Sequence, residues 1–329
     1  RVKVRFRTGR GNVDRVTICY NGQKAIMRKD SFDDMFDYYA YHIRLTDEPI
    51  YYHFEVEAED ESCYYNRLGI SKSEEARYDF ILVPGFATPD WAKGAVVYQI
   101  YVDRFYNGDS SNDVVNDEYF YQGRPVKHAG HWNDSVSRTD EGTFYGGDLQ
   151  GIIDKMDYLE GLGVEVLYLN PIFVSPSSHK YDIQDYRHID PHFGKIVNRK
   201  ECGLKDGYEQ YRGITTNREN LEASDRLFAR LVEEAHKRGM KVILDGVFYC
   251  CGSWHRFMDK EGIYANGDTC SIKGAYQDSN SPYREYFQYK NPQDANSYEN
   301  WWGYEAYAKF NYENSRKLYE YILSVAVKW

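Results

Sequence analysis

Long apolar runs are missing from this chain of 329 residues: no stretch of 18 apolar residues occurs, so no helix of it is expected to span a membrane. Positive charge is also in short supply. Forty-one Lys and Arg stand against 51 Asp and Glu, a formal net charge of −10, with a pI near 5.5. That balance excludes an electrostatic grip on nucleic acid or on an anionic bilayer. Cysteine is sparse and unpatterned. Cys19, Cys63, Cys202, Cys250, Cys251 and Cys270 contain no CxxC pair, which removes a zinc knuckle or a redox motif. Neighbouring Cys250 and Cys251 are poorly placed to bridge each other. Free, mostly buried thiols in a reducing cytoplasm are the simplest expectation. No secretory leader opens the sequence, although a trimmed start leaves secretion open.

What the chain does hold is core-forming material, 42% hydrophobic and 17% aromatic, which argues for a folded protein. Thirty-three residues are tyrosine. A tyrosine pairs a flat apolar face with a polar tip and suits sugars, but compositional bias accounts for the excess equally well. Residues 1–90 read as short β-branched and aromatic runs, at Val2–Phe6, Val16–Tyr20, Phe36–Leu45, Ile50–Val56 and Tyr78–Val83. Asn21–Gly22 and Thr46–Pro49 supply turn chemistry, and a β-sandwich is predicted. From residue 91 the pattern changes to strands alternating with amphipathic helices. Strands are predicted at Ala95–Val102, Val164–Asn170 and Lys241–Phe248. A helix capped by Asp148 and another carrying Leu227, Leu231 and Ala235 lie between them. From Tyr249 to about Asn314 the periodicity dissolves into an irregular insert. A last helix follows from about Ser315, with Leu318, Tyr319, Ile322, Leu323 and Ala326 inward. The first residue is Arg1 and the last, Trp329, ends an uncapped helix, so both termini read as cut.

Six segments then resemble one family in the right order. They are Trp91–Phe105 (WAKGAVVYQIYVDRF), Asn107–Asp113 (NGDSSND), Phe144–Gly151 (FYGGDLQG), Leu167–Phe173 (LYLNPIF), His179–Gly194 (HKYDIQDYRHIDPHFG) and Lys241–Gly252 (KVILDGVFYCCG). Together they resemble the α-amylase family of glycoside hydrolases, in its neopullulanase, cyclomaltodextrinase and maltogenic amylase branch. The resemblance implies a starch-binding-type β-sandwich over 1–90. It also implies the first three βα units of a (β/α)8 TIM barrel over 91–329, with an insert subdomain at about 249–314 after the third strand.

Candidate residues follow from both readings. Asn107, Asp109, Asn112 and Asp113 gather four oxygen-bearing side chains around Gly108. Hard oxygens in a tight loop suit Ca²⁺, and the resemblance adds the Gly146 carbonyl and Asp148 to that metal site. An Asn/Asp-rich turn, with Asp148 capping its helix, is the alternative. His179 and Tyr181 follow the second strand, where barrels place their active sites. The resemblance implies that Tyr181 stacks beneath the sugar at the cleaved bond, with His179 nearby and Asp245 as an orienting carboxylate. Tyr249 and Cys250 stand where the family has Asn-His. A thiol is a weak donor and acceptor, so substrate orientation at that point is altered. Trp301 and Trp302 suit sugar stacking or burial in a subdomain.

A retaining glycosidase needs two carboxylates about the scissile bond. In the family these follow the fourth and later strands, so no catalytic residue is assigned within this chain and they are expected beyond residue 329. The expected function is hydrolysis of α-1,4-glucans of starch, pullulan or cyclodextrin type by double displacement. The alternative is a non-catalytic glucan-binding or scaffold protein with a degenerate barrel. The expected partner is an α-glucan, and the resemblance permits a homodimer.

Overall fold

The computed structural model of the chain describes residues 1–59, 61–136, 141–200, 206–264 and 272–329. Cys202 and Cys270 lie outside them. Cys19, Cys250 and Cys251 are buried and Cys63 is partly exposed, all as free thiols. The chain divides into two compact units, Arg1–Lys93 and Gly94–Trp329.

In the first unit, Val2–Gly9 pairs antiparallel with Phe36–Ile43, which pairs with Arg28–Phe32. A second antiparallel sheet runs Gln23–Ile26, Arg15–Tyr20, Ile50–Ala58, Glu61–Asn66, Gly69–Ser71, with Phe80–Leu82 also on Ile50–Ala58. The apolar sides meet around Val4, Val16, Ile18, Tyr39, Ile43, Ile50 and Phe54. Four of these strands, Gln23–Ile26, Arg28–Phe32, Glu61–Asn66 and Gly69–Ser71, carry no clear apolar alternation. Arg28–Phe32 is exposed along its whole length. Its place is set by the ladder to its neighbour and by cross-strand charge pairs such as Lys3 with Asp30 at 2.8 Å, not by burial.

In the second unit, strands Val97–Ile100, Val166–Leu169 and Lys241–Leu244 form a parallel sheet in chain order. Helices α1 (Leu149–Asp154) and α2 (Met156–Gly161) connect the first to the second strand. Helices α3 (Glu209–Thr215) and α4 (Arg218–Lys237) connect the second to the third, and α5 (Arg316–Lys328) follows the third. Three successive βα units are therefore present in an open sheet, not a closed barrel. Asp148 caps α1 by accepting from the Gly151 N–H. Leu149, Ile152, Met156 and Leu159 form the buried stripe. The single helix expected there is two, because Lys155 adopts φ −103° and ψ 9° between them.

The rotation of α5 differs from expectation. Leu318, Ile322 and Val325 are buried, whereas Tyr319, Leu323 and Ala326 face out. The cause lies at its end. The Trp329 ring packs on Phe173 and Phe228, and its indole N–H donates to the Tyr186 carbonyl at 2.9 Å, which turns Val325 inward. The insert is also more ordered than its composition indicates. Cys250–Gly252, Tyr304–Lys309 and Asn300–Trp301 form a small antiparallel sheet in that spatial order.

Beneath the loops at the carboxyl ends of the strands runs a buried row of alternating charge. Lys180 Nζ lies 2.7 Å from Asp190, Asp190 lies 3.2 Å from His192 Nδ1, and His192 Nε2 lies 3.0 Å from Glu118. All four side chains are buried. Burial alone would strip the proton from His192, but Glu118 and Asp190 outweigh it and push the imidazole up to about 9. At Asp190 the penalty of burial is outweighed by Lys180 and His192, holding the carboxyl well below its usual range. Removing one member strands its partner's charge. Lys180→Met is therefore expected to destabilise this unit by about 3–5 kcal/mol in urea unfolding. Because its pKa is raised on folding, the stabilisation from His192 is complete below its ordinary 6.5 and drains away as pH climbs through about 9. The stability gap between wild type and His192→Gln should narrow across that window; a gap that stays constant would refute the assignment.

Candidate functional site

The carboxyl ends of the three parallel strands gather the chemistry. Asp245 follows the third strand directly, and its N–H donates to the Leu169 carbonyl of the second at 3.0 Å. The Tyr181 hydroxyl donates to Asp245 Oδ2 at 2.9 Å, tying the loop after strand two to the end of strand three. Burial, and then the hydrogen bond to Asp245, push the Tyr181 phenol well above its usual range, so it acts as a neutral donor. Tyr168, on the second strand, faces the same carboxylate. His179 sits beside Tyr181, with ring centroids 5.9 Å apart. Its Nδ1 accepts from the Tyr181 N–H at 3.0 Å, so any ring proton belongs on Nε2 in the neutral form. Nε2 lies 3.3 Å from the Tyr307 hydroxyl and 3.7 Å from Glu141. Behind this layer, Asp182 accepts from the hydroxyls of Ser175 and Tyr121 at 2.7 and 2.9 Å.

His179, Tyr181 and Asp245 thus come together as the sequence leads one to expect. Tyr249 and Cys250 part company. Tyr249 is exposed and packs against Trp301, with centroids 6.0 Å apart. Cys250 is wholly enclosed, its backbone paired with Lys309 in the insert sheet, and burial pushes its thiol up to about 12. The Cys250 sulfur is thus enclosed by the insert sheet, unlike the exposed ring of Tyr249 beside it. Strand pairing, invisible in the local sequence, decides this. Glu141 and Tyr307 were not singled out as site residues, though Tyr307 opens the YAKFN segment that follows the tryptophan pair. Glu141 has no motif around it and is placed only by the fold.

Beside this platform stands an aromatic wall from the insert. Trp301 stacks on Trp302 at 5.0 Å with planes 10° apart, and its ring meets Tyr307 at 5.8 Å. Trp302 is 83% exposed. It occupies φ +52° at the hairpin tip, a conformation costly for a bulky residue.

The oxygen-rich loop folds around Asp148. Oδ1 of that carboxylate accepts from the N–H groups of Gly151 and Gly108, and Oδ2 from the Asp109 N–H and the Asn112 amide. Four donors fill its lone pairs, so Asp148 acts here as a helix cap and loop clamp and offers no free oxygen. Asn107 donates to Asp113 Oδ1 at 2.8 Å, and Asp109 is paired with Lys195. Asn112 Oδ1 is buried without a hydrogen-bond partner. Burial, with Asp148 and Asp103 nearby, raises the Asp113 carboxyl despite His128 and Asn107. Among the described residues no three His, Cys, Asp or Glu side chains are arranged to hold a metal ion. The oxygens that fit a hard cation are therefore mixed: Asp113 and the orphaned Asn112 amide, with Asn107, Asp109 and the Gly146 carbonyl alongside.

An antiparallel sandwich unit is followed by an α/β unit with aromatic and carboxylate groups at the carboxyl ends of its parallel strands. This defines a protein with an immunoglobulin-like module and a βα-barrel-type domain. Residues 1–83 match the family described as alpha amylase, N-terminal ig-like domain, and residues 99–202 and 208–328 match alpha amylase, catalytic domain. The chain belongs to the α-amylase family. It is 39% identical over 238 residues to an amylopullulanase of Thermoanaerobacter thermohydrosulfuricus, covering 67% of this chain and 14% of that protein. It is 33% identical over 266 residues to neopullulanase 2 of Thermoactinomyces vulgaris, covering 76% and 38%. Among solved structures it resembles the type III pullulan hydrolase from Thermococcus kodakarensis, with a TM-score of 0.60 and 26% identity, covering 99% of this chain and 50% of the other. The chain thus spans half or less of each of these proteins. No helix among the described residues is long and apolar enough to cross a membrane.

Gly146 holds the oxygen-rich loop against its neighbour at φ +78°, where an added Cβ would come within 2.5 Å of Asn107 Nδ2 and 2.6 Å of Asp113 Oδ1. Gly146→Ala should cost more than about 1 kcal/mol in thermal or chemical unfolding; an unchanged melting curve would show that the loop yields freely.

Proposed function

We propose that this chain is the glucan-binding amino-terminal part of an α-glucan hydrolase that works by retaining double displacement. The observation that carries the reading is the Tyr181–Asp245 hydrogen bond at the carboxyl ends of the second and third strands, with His179 alongside. A tyrosine held by its hydroxyl keeps an aromatic face fixed for the apolar face of a pyranose, and no charge is required for that contact. His179 Nε2 and Glu141 can then hydrogen-bond the sugar hydroxyls at the ring edge. Names of relatives such as neopullulanase and cyclomaltodextrinase support substrates of pullulan or cyclodextrin type. The nucleophile and acid/base carboxylates that such chemistry requires are assigned to no residue of this chain, and the proposal places them outside residues 1–329.

A second reading, a glucan-binding scaffold without turnover, draws on one observation: the position expected to present a histidine to the sugar holds the enclosed Cys250. Calorimetric titration with maltotriose and an assay of reducing ends on pullulan test both readings. The chain is expected to bind maltotriose without turnover, with Tyr181→Ala weakening binding at least tenfold, the scale of about 1.4 kcal/mol. Robust hydrolysis by the chain alone would overturn the placement of the carboxylates, and absence of sugar binding would overturn the whole reading.

The oxygen-rich loop belongs to the same proposal, as a structural Ca²⁺ site using Asp113, Asn112, Asn107, Asp109 and the Gly146 carbonyl. A bound cation would supply the positive charge that Asp113 and the neighbouring Asp148 and Asp103 lack, and would hold the loop closed. Calcium should raise the melting temperature of wild type and leave Asp113→Asn unaffected; equal responses of the two would rule the site out.

A further inference from the structure

A cavity of about 350 Å³ lies apart from Tyr181 and Asp245, with Tyr121, Gln122, Lys260, Glu261, Tyr304 and Glu305 among its walls. Its volume falls within the usual range for small-molecule sites, about 300–1,000 Å³. Lys260 is neutralised by Glu305 at 2.7 Å, so no free cation there calls for an anionic ligand. Glu261 stands otherwise. Its Oε2 is buried and has no hydrogen-bond partner, and burial pushes the carboxyl up to about 7. A buried carboxyl oxygen left unpaired is a standing penalty that a hydroxyl donor would relieve. Tyr304 adds an exposed ring at the same wall. An acceptor without a donor, an aromatic face and no net cationic charge together describe a neutral polyhydroxylated ligand.

The cavity is linked to the Tyr181 platform. Gln122, which lines it, donates to Glu141 Oε2 at 3.1 Å, and that same oxygen lies 3.7 Å from His179 Nε2. On the other side, Glu305 and Ala306 lead along one strand to Tyr307, whose hydroxyl lies 3.3 Å from His179. We infer that the Glu261–Tyr304 cavity is an extended subsite for a glucan chain already seated on Tyr181, receiving a sugar unit several positions removed from the His179 contact. This inference rests on the glucan-binding reading of the platform. The ring of Tyr304 would stack on that unit while a pair of its hydroxyls reaches Glu261.

The test is calorimetric titration of the 329-residue chain with maltotriose and maltoheptaose. Glu261→Gln keeps the shape of the side chain, and Tyr304→Ala alters an exposed position, so both variants should fold. Each is expected to weaken maltoheptaose about tenfold, the scale of one good contact, and to leave maltotriose within about twofold. Tyr181→Ala should weaken both sugars. Equal losses for the two sugars in the Glu261 and Tyr304 variants, or no loss for either, would overturn the subsite and leave the platform standing. Failure of wild type to bind either sugar would remove the platform and the subsite with it.

Discussion

The alternating row Lys180–Asp190–His192–Glu118 is the constraint on which the second unit is hung. Each group would be costly to bury alone, and each is tolerable because its neighbour carries the opposite sign. The row also reaches outward through hydrogen bonds. Asp190 accepts from the Ser175 N–H, and Lys180 donates to the Ser175 carbonyl, which fixes the turn after the second strand. Gly194, two residues past His192, accepts from the Asn112 amide, and the neighbouring Phe193 carbonyl accepts from the Leu149 N–H that opens α1. The Tyr181 loop and the oxygen-rich loop are therefore anchored to one buried set of charges. Lys180 holds its place at φ +62°, a backbone state whose cost is offset by these contacts.

That anchoring explains why a tyrosine can serve as a rigid surface here. Tyr181 is one residue from Lys180 and one from Asp182, both of which are buried and multiply bonded. Its backbone therefore has little freedom, and its hydroxyl is held by Asp245. Preorganisation of this kind lowers the ordering entropy lost when a ligand binds. The exposed wall of Trp301 and Trp302 has a different support, a short hairpin with a strained tip, so the two sides of the site are built with unequal stiffness.

How much of this could be read from the sequence depended on whether the signal was local. Apolar runs flanked by turn residues marked five strands of the sandwich and all three parallel strands. The cap residue Asp148 marked one helix start, and the apolar pattern placed the start of the last helix at about Ser315, where Ser315 caps it. Strands such as Arg28–Phe32 escaped notice because a ladder and cross-strand charges hold them, and neither leaves an apolar period. The inward face of α5 was misjudged because its rotation is decided by Trp329 docking on Phe173 and Phe228, far away in sequence. Likewise His179, Tyr181 and Asp245 were legible from motifs, whereas Glu141, the enclosed state of Cys250 and the unpaired Glu261 depend on which segments the fold brings together.

The docking of α5 has a consequence in time. Trp329 bonds to the carbonyl of Tyr186 across 143 residues, and Arg187 reaches Ser324 across 137. At synthesis rates of about 5–20 residues per second, roughly 7–30 s pass between the emergence of Asp185–Ile189 and that of its covering helix. Through that interval Phe173 and Phe228 lack the ring that later covers them. The nascent chain therefore carries an uncovered apolar seat in the middle of its second βα unit, and the final turn of α5 closes it last.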